Sequence, residues 1–181
     1  MLDHFDATNP GQWEQRSWSN WDNYAGEGLA FLHIGGEAPA SPGWLTYGAW
    51  YEWAQLHGAA MFVLEHRSEK YNIKVFCLTN YVLLLRYYGN SHPTEDMSRE
   101  NMKYLSSRQG LEDAGHFIAT MNAQHNLTTW FTFGGSYPGS LSAWMRLRFP
   151  HLVAGSVSSS GPLFAKLDFH EYLQVDFPRL Q

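Results

Sequence analysis

The chain has 181 residues, a formal charge of −5, 44% apolar residues and 16% charged residues. That size and balance suit one domain with a buried core and exclude a disordered chain. No basic run offers a nucleic-acid footprint, no apolar run approaches the ~20 residues of a membrane span, and the single Cys77 excludes an internal disulfide.

Residues 1–28 are rich in Trp, Asn, Asp and Gly and read as short strands and turns, with "WEQRSW" (13–18) alternating like an edge strand. Leu29–Ile34 is a continuous apolar run closed by Gly35-Gly36-Glu37, the pattern of a buried strand feeding a glycine loop. Trp44, Tyr47, Tyr51 and Ala54 recur at helical spacing after Pro42-Gly43, and His57-Gly58 should close that helix. The run 59–66 is a second buried strand. Ser98 is placed to cap a long helix with Glu100 in its first turn. Met102, Leu105, Leu111, Ala114, Ile118 and Met121 form one apolar stripe along it. A third strand covers 129–133, a helix runs from the next corner to Phe149 and is stopped by Pro150, and 151–161 holds a last strand. Strands alternating with crossover helices predict an α/β fold, a mostly parallel sheet with helices on both faces. The run 68–86 has no turn punctuation and matches no crossover, so it reads as an insertion foreign to the domain.

Gly134-Gly135-Ser136-Tyr137-Pro138 falls where the third strand becomes a helix. Glycine permits a sharp turn there, and a serine in such a corner holds strained angles that lift its hydroxyl above the sheet. The helix N-terminus offers the Tyr137 N–H to a developing oxyanion, and the Gly35–Gly36 loop is placed to supply a second donor. Pro138 stands where the usual G-x-S-x-G corner has its last glycine. A base and an orienting acid should follow the nucleophile. His151 sits at the foot of the helix, at the wrong end of the sheet, and Asp168 and His170 are the only other local candidates, two apart on one segment. The reading is therefore that acid and base are missing from this chain. Nine histidines raise the question of a metal, but no HExxH is present, since Gln174 follows His170-Glu171 where the second histidine would stand. No metal and no cofactor are expected.

With these residues in view, the chain resembles the family of serine peptidases that includes prolyl carboxypeptidase, dipeptidyl peptidase II and thymus-specific serine protease. The stretches that carry the resemblance are "LDHFD", "FLHIGGEAP", "GAWYEWAQLHGAAMFVLEHR", "YYGNSHPTEDMS", "NMKYLSSRQGLEDAGHFI", "WFTFGGSYPGSLSAWMRLRFPHLVAGSVSSSGPL" and "AKLDFHEY". Removing 68–86 joins Arg67 to Tyr87 in the family's continuous run, so the insertion reads as a retained intron or gene-model error. The resemblance implies the N-terminal part of one α/β-hydrolase domain across 1–181, with the cap domain and the C-terminal part missing. It implies acyl-enzyme hydrolysis of peptide bonds near a chain end, often after proline. Ser136 would be the nucleophile, Tyr137 with Gly35 and Gly36 the oxyanion hole, and Glu37 a substrate contact. Ala38 replaces the glycine usual after that glutamate. The expected partner is a peptide substrate, with neither nucleic acid nor membrane, and a homodimer is left open for full-length members. Asn126 begins an N-L-T sequon, consistent with the lysosomal, endosomal or secreted location of the family, although no signal peptide is visible after Met1. An esterase of the same fold and a non-catalytic binding fragment are the competing readings.

Overall fold

Five strands form one sheet in the order β1-β3-β2-β4-β5 in the computed structural model, which describes residues 1–67, 89–96 and 98–171. The 68–86 run lies outside the described residues. The strands are β1 (Ser17–Asn20), β2 (Leu29–Ile34), β3 (Ala60–Leu64), β4 (Thr129–Gly135) and β5 (Val153–Ser159). Strands β2 to β5 run parallel, and β1 closes one edge antiparallel to β3, with Ser17 opposite Leu64. The expected edge strand is thus present, shifted toward the end of the 13–18 run.

Three helices cover the two faces. Helix α1 (Ala49–His57) packs Trp50 and Ala54 on Phe31, Met61, Val63 and Phe133. Helices α2 (Ser107–His125) and α3 (Tyr137–Arg148) press Leu111, Ala114, Ile118, Leu141 and Met145 onto the opposite face, against Ala30, Leu32, Phe62, Trp130 and Val153. Alternate residues of β2 therefore go to different layers, Phe31 to one and Leu32 to the other, as the two-residue period of a strand requires. A strand buried on both faces has no polar side to show, which is why β2 and β3 read as unbroken apolar runs.

Two helix starts differ from expectation. The stretch from Trp44 to Tyr51 is not one helix: Ser41 accepts from the Gly43 amide and starts a 3₁₀ turn over Pro42–Thr46, and Gly48 at φ 88° separates it from α1. The long second helix begins at Ser107, not after Ser98, and its cap is Ser106, whose hydroxyl accepts from the Gln109 amide. Residues 102–104 form a separate 3₁₀ turn, and Met102 is exposed. The signal for the true cap was Ser106-Ser107-Arg108-Gln109, a serine three residues before a glutamine. Here the Gln109 side chain is diverted to the N-terminal segment, accepting from the His4 amide and donating to Asp3.

Helix α1 links β2 to β3 on one side, while α2 carries the chain back across to place β4 on the other side of β2. The strand order reverses between β2 and β4. In open α/β sheets, the crevice beyond the carboxyl ends of two such strands is the usual ligand site.

Candidate active site

The parallel register of β2 with β4, His33 opposite Phe133, brings the two loops beyond these strands to the same sheet edge. One loop is Gly35–Glu37 and the other is Gly135–Ser136. Ser136 has φ 60° and ψ −133°, a left-handed conformation that a side chain adopts only under strain of about 1–3 kcal/mol. Its backbone is fixed on both sides. The Ser136 N–H donates to the Ser159 carbonyl of β5 at 2.9 Å, and its own carbonyl accepts from Gly139 N–H at 2.8 Å to begin α3. The residue is exposed, and among the described residues no side chain hydrogen-bonds its hydroxyl.

Why the corner tolerates Pro138 is visible in its contacts. A Cβ on Gly134 would lie 2.1 Å from the Pro138 carbonyl oxygen, so the first glycine is required by the backbone of the turn itself. The proline ring, in the first turn of the helix where its missing N–H costs nothing, packs on Gly36, where a Cβ would come within 2.3 Å of its Cγ. The close backbone approach usually granted by a glycine after the nucleophile is instead granted one residue later, at Gly139 against Ser159.

The donors on the two loops are not equivalent. The Gly35 N–H donates to the Leu64 carbonyl at 2.8 Å, so this amide is not open to a ligand, and its expected role as an oxyanion donor is corrected. Gly35 shapes the loop, holding it against β3, where a Cβ would meet the Leu64 oxygen at 2.8 Å. Among the described residues, neither the Gly36 nor the Tyr137 N–H donates to a backbone carbonyl. Tyr137 occupies the first position of α3, where no carbonyl lies four residues back in the helix to accept its N–H.

A cavity of about 400 Å³ opens beside Ser136 and is lined by His33, Gly36, Glu37, Trp44 and Pro138 among others. Glu37 also lines a second, more polar recess with His66, Ser107 and Tyr137. Ala38 has no positive φ, so the alanine fits this loop without strain. The loop wall is anchored from below by Glu65, a fully buried carboxylate that accepts from the amides of Ala40 and Asn90 and from the Ser91 hydroxyl.

Behind the second recess lies a polar network that sequence reasoning missed. The 2.7 Å contact of His66 Nδ1 with the Arg67 carbonyl requires the proton on Nδ1, which leaves Nε2 as the acceptor, 3.4 Å from the Tyr137 hydroxyl. Ser107 Oγ meets that same hydroxyl at 2.7 Å. Burial pushes His66 below its ordinary range and pushes Tyr137 above its own, with the charge of Glu37 adding to the latter. Arg67, fully buried, forms a two-pronged pair with Asp113 at 2.6 Å on each side. The available signal was Glu65-His66-Arg67, three consecutive polar groups at the end of a fully buried strand.

The remaining sequence candidates do not assemble. His170 Nδ1 lies 3.2 Å from the backbone oxygen of Asp168, not its carboxylate, and both residues are exposed. His151 precedes β5, at the end of the sheet opposite Ser136, as expected. Asn126 is exposed at the left-handed C-cap of α2.

His33 sits deep in the first cavity, stacked on Trp44 with ring centroids 5.1 Å apart and planes 15° apart. Burial pushes its pKa down to about 4. Because the unfolded chain titrates near 6.5, it takes up this proton first. The stability is therefore fully present above about pH 6.5 and is lost as pH falls toward 4, by about 3 kcal/mol for this one group. Urea unfolding of wild type and His33→Phe between pH 7 and pH 4 measures it: the variant should lose less stability on acidification, and parallel curves would refute the assignment.

The family described as Serine carboxypeptidase S28 matches residues 1–68 and 75–178. A Caenorhabditis elegans chain named as a serine protease is 43% identical over 96% of this chain, and the human thymus-specific serine protease is 36% identical over 97% of it. The chain spans 31% of the length of each of these relatives. Among solved structures, a Mycobacterium tuberculosis chain named as a non-heme bromoperoxidase superposes with TM-score 0.54 at 13% identity, covering 95% of this chain and 50% of that one. At that identity the likeness speaks for the fold alone. It agrees with the strand order and the serine corner, and the fold is an incomplete α/β hydrolase. The family match, the relatives and this fold converge on one assignment: the chain belongs to the S28 family of serine peptidases.

Proposed function

We propose that this chain carries the nucleophile and the oxyanion donors of a serine exopeptidase that cleaves peptide bonds near a chain end. The observation that carries the reading is the exposed, strained Ser136 facing the loop that follows β2. Its Oγ attacks the substrate carbonyl, and the Gly36 and Tyr137 amides take the developing negative charge. The amine leaves with a proton, and water then releases the acyl group. Asp168 and His170 do not form the relay that would take the Ser136 proton, which supports a reading in which the base and its orienting acid are other residues than these. Glu37, shared by both recesses beside Ser136, supports a role at the substrate end of the cleft, where its carboxylate would meet a free amino group. The exposed Asn126 sequon supports glycosylation and passage through the secretory route.

The test compares hydrolysis, by the intact protein, of one peptide with free ends and the same peptide acetylated or amidated. Blocking one end should lower kcat/KM by at least tenfold. Equal cleavage of all three, or cleavage of simple esters alone, would overturn the exopeptidase reading.

A further inference from the structure

The first turn of α3 carries the amide that follows the nucleophile, and few bonds of its own fix that turn. Ser136 gives α3 no side-chain cap, and Pro138 has no N–H to donate. The Gly139 and Ser140 amides share the Ser136 carbonyl, at 2.8 Å and 3.3 Å. Pro138 steadies one side of the turn by packing on Gly36. The other handle is the Tyr137 side chain, which reaches into the second recess. There its hydroxyl meets Ser107 Oγ at 2.7 Å and His66 Nε2 at 3.4 Å.

The partners of that hydroxyl are themselves held. Ser107 is the first residue of α2, directly after the Ser106 cap. Gln109 ties the same turn to Asp3 and His4. His66 is buried just beyond β3, its Nδ1–H donating to the Arg67 carbonyl at 2.7 Å. Helix α2 packs so closely on this ring that a Cβ on Gly110 would come within 2.8 Å of Nε2. The rings of His66 and Tyr137 lie 5.7 Å apart between centroids. With Nε2 as an acceptor, Ser107 donates to Tyr137 and Tyr137 to His66, so the chain of hydrogen bonds runs one way. Burial and the charge of Glu37 hold the tyrosine pKa above its ordinary value, and the donor stays protonated through the neutral range.

We propose that Ser107, backed by His66, is a positioning residue for the reaction: through the Tyr137 hydroxyl it fixes the first turn of α3, and with it the Tyr137 N–H that receives the oxyanion. The inference rests on the proposed roles of Ser136 and the Tyr137 amide and adds the residues that set their geometry. An oxyanion donor works only when held about 2.7–3.1 Å from the developing charge. A displacement of about 1 Å can cost about 100-fold in rate. Tyrosine has few side-chain torsions, so anchoring its far end limits how the backbone at its near end tilts. The anchor matters here because Ser136 holds φ 60° and ψ −133°, and a strained residue beside a loose turn would relax. The contacts join the end of β3, the start of α2 and the start of α3 at one point beside the nucleophile.

The experiment measures hydrolysis of one peptide by the intact protein, with kcat counted per serine titrated to completion by a fluorophosphonate. Tyr137→Phe keeps the ring and removes the hydroxyl. It should lower kcat by about tenfold with KM within about twofold, the pattern of an interaction lost only in the transition state. Ser107→Ala leaves the His66 contact and should lower kcat by less, and Ser107→Thr, which keeps a hydroxyl, should restore it. The double variant Ser107→Ala/Tyr137→Phe should lose no more than Tyr137→Phe, since both changes break one chain. A purely structural role would lower the thermal midpoint and leave kcat per titrated serine unchanged, and that result overturns the proposal. A rise in KM at constant kcat, additive losses in the double variant, or Ser107→Thr as slow as Ser107→Ala also overturns it. If Tyr137→Phe does not fold, the two Ser107 variants decide by the same criteria. Wild type that does not react with the fluorophosphonate overturns the nucleophile instead, and the positioning role falls with it.

Discussion

Ser136→Ala is expected to abolish modification by fluorophosphonates and to lower peptide hydrolysis by the intact protein by about 10⁶-fold, the scale on which serine hydrolases lose turnover without their nucleophile. A second substitution separates the hydroxyl from the backbone that presents it. Ser136→Gly removes the same oxygen but also accepts φ 60° and ψ −133° without a Cβ clash. It should be equally inert and more stable than Ser136→Ala by about 1 kcal/mol, the strain relieved less the added freedom of the unfolded chain. Urea unfolding midpoints of the two variants give the comparison, and mass spectrometry after probe treatment gives the labelling. Labelling that persists in either variant would mean that another residue is the nucleophile. A glycine variant less stable than the alanine variant would mean that the corner is not strained.

Arg67→Met should be the most destabilising single change outside the site, by about 3–5 kcal/mol. Arg67 fills its donors with Asp113, the Leu2 carbonyl and the Tyr104 carbonyl, all in the interior. Burial pushes the Asp113 carboxyl up, but hydrogen bonds from His4 and Arg67, with the charge of Arg67, outweigh it and hold the group below its usual range. Without the guanidinium, a buried carboxylate keeps, among the described residues, only His4, at 2.8 Å. Domains are stable by only about 5–15 kcal/mol, so a loss of this size leaves a marginal fold. Arg67→Met combined with Asp113→Leu should recover much of the loss, because replacing both members of a buried pair leaves no unpaired charge. Chemical denaturation of the single and double variants tests this, and a double variant no better than Arg67→Met would refute the pairing argument. The same pair also ties residues 1–4 to α2, so faster proteolysis near the N-terminus should accompany the single change.

Local patterning fixed more of the fold than of the site. Strands β2 and β3 were legible because burial on both faces removes polar residues from a short run. Strand β4 and the corner at Ser136 were legible because glycines and a serine interrupt β-branched and aromatic residues at the point where helical spacing begins. Gly58 at the end of α1 was legible because a left-handed C-cap favours glycine, and its φ is 64°. The start of α2 was misread because the apolar stripe extends past the true cap, and periodicity does not mark where a helix begins.

The glycine loop after β2 shows where sequence reading stops. Gly35 and Gly36 are the same residue type, but β3 takes the amide of Gly35 and not that of Gly36, a choice made by hydrogen bonding between distant strands. The aromatic wall beside Ser136 is likewise absent from any local pattern, since His33 lies in a strand and Trp44 in a turn beyond it. Arg67 and Asp113, 46 residues apart, meet only because α2 packs back over the sheet. The sequence by itself determined the elements, their α/β order and the serine corner, because those depend on spacing and backbone freedom between near neighbours. Which amides stay open, which charges pair and which rings line the cavity was decided by tertiary structure, because each depends on the register of parallel strands and on how the helices cross them.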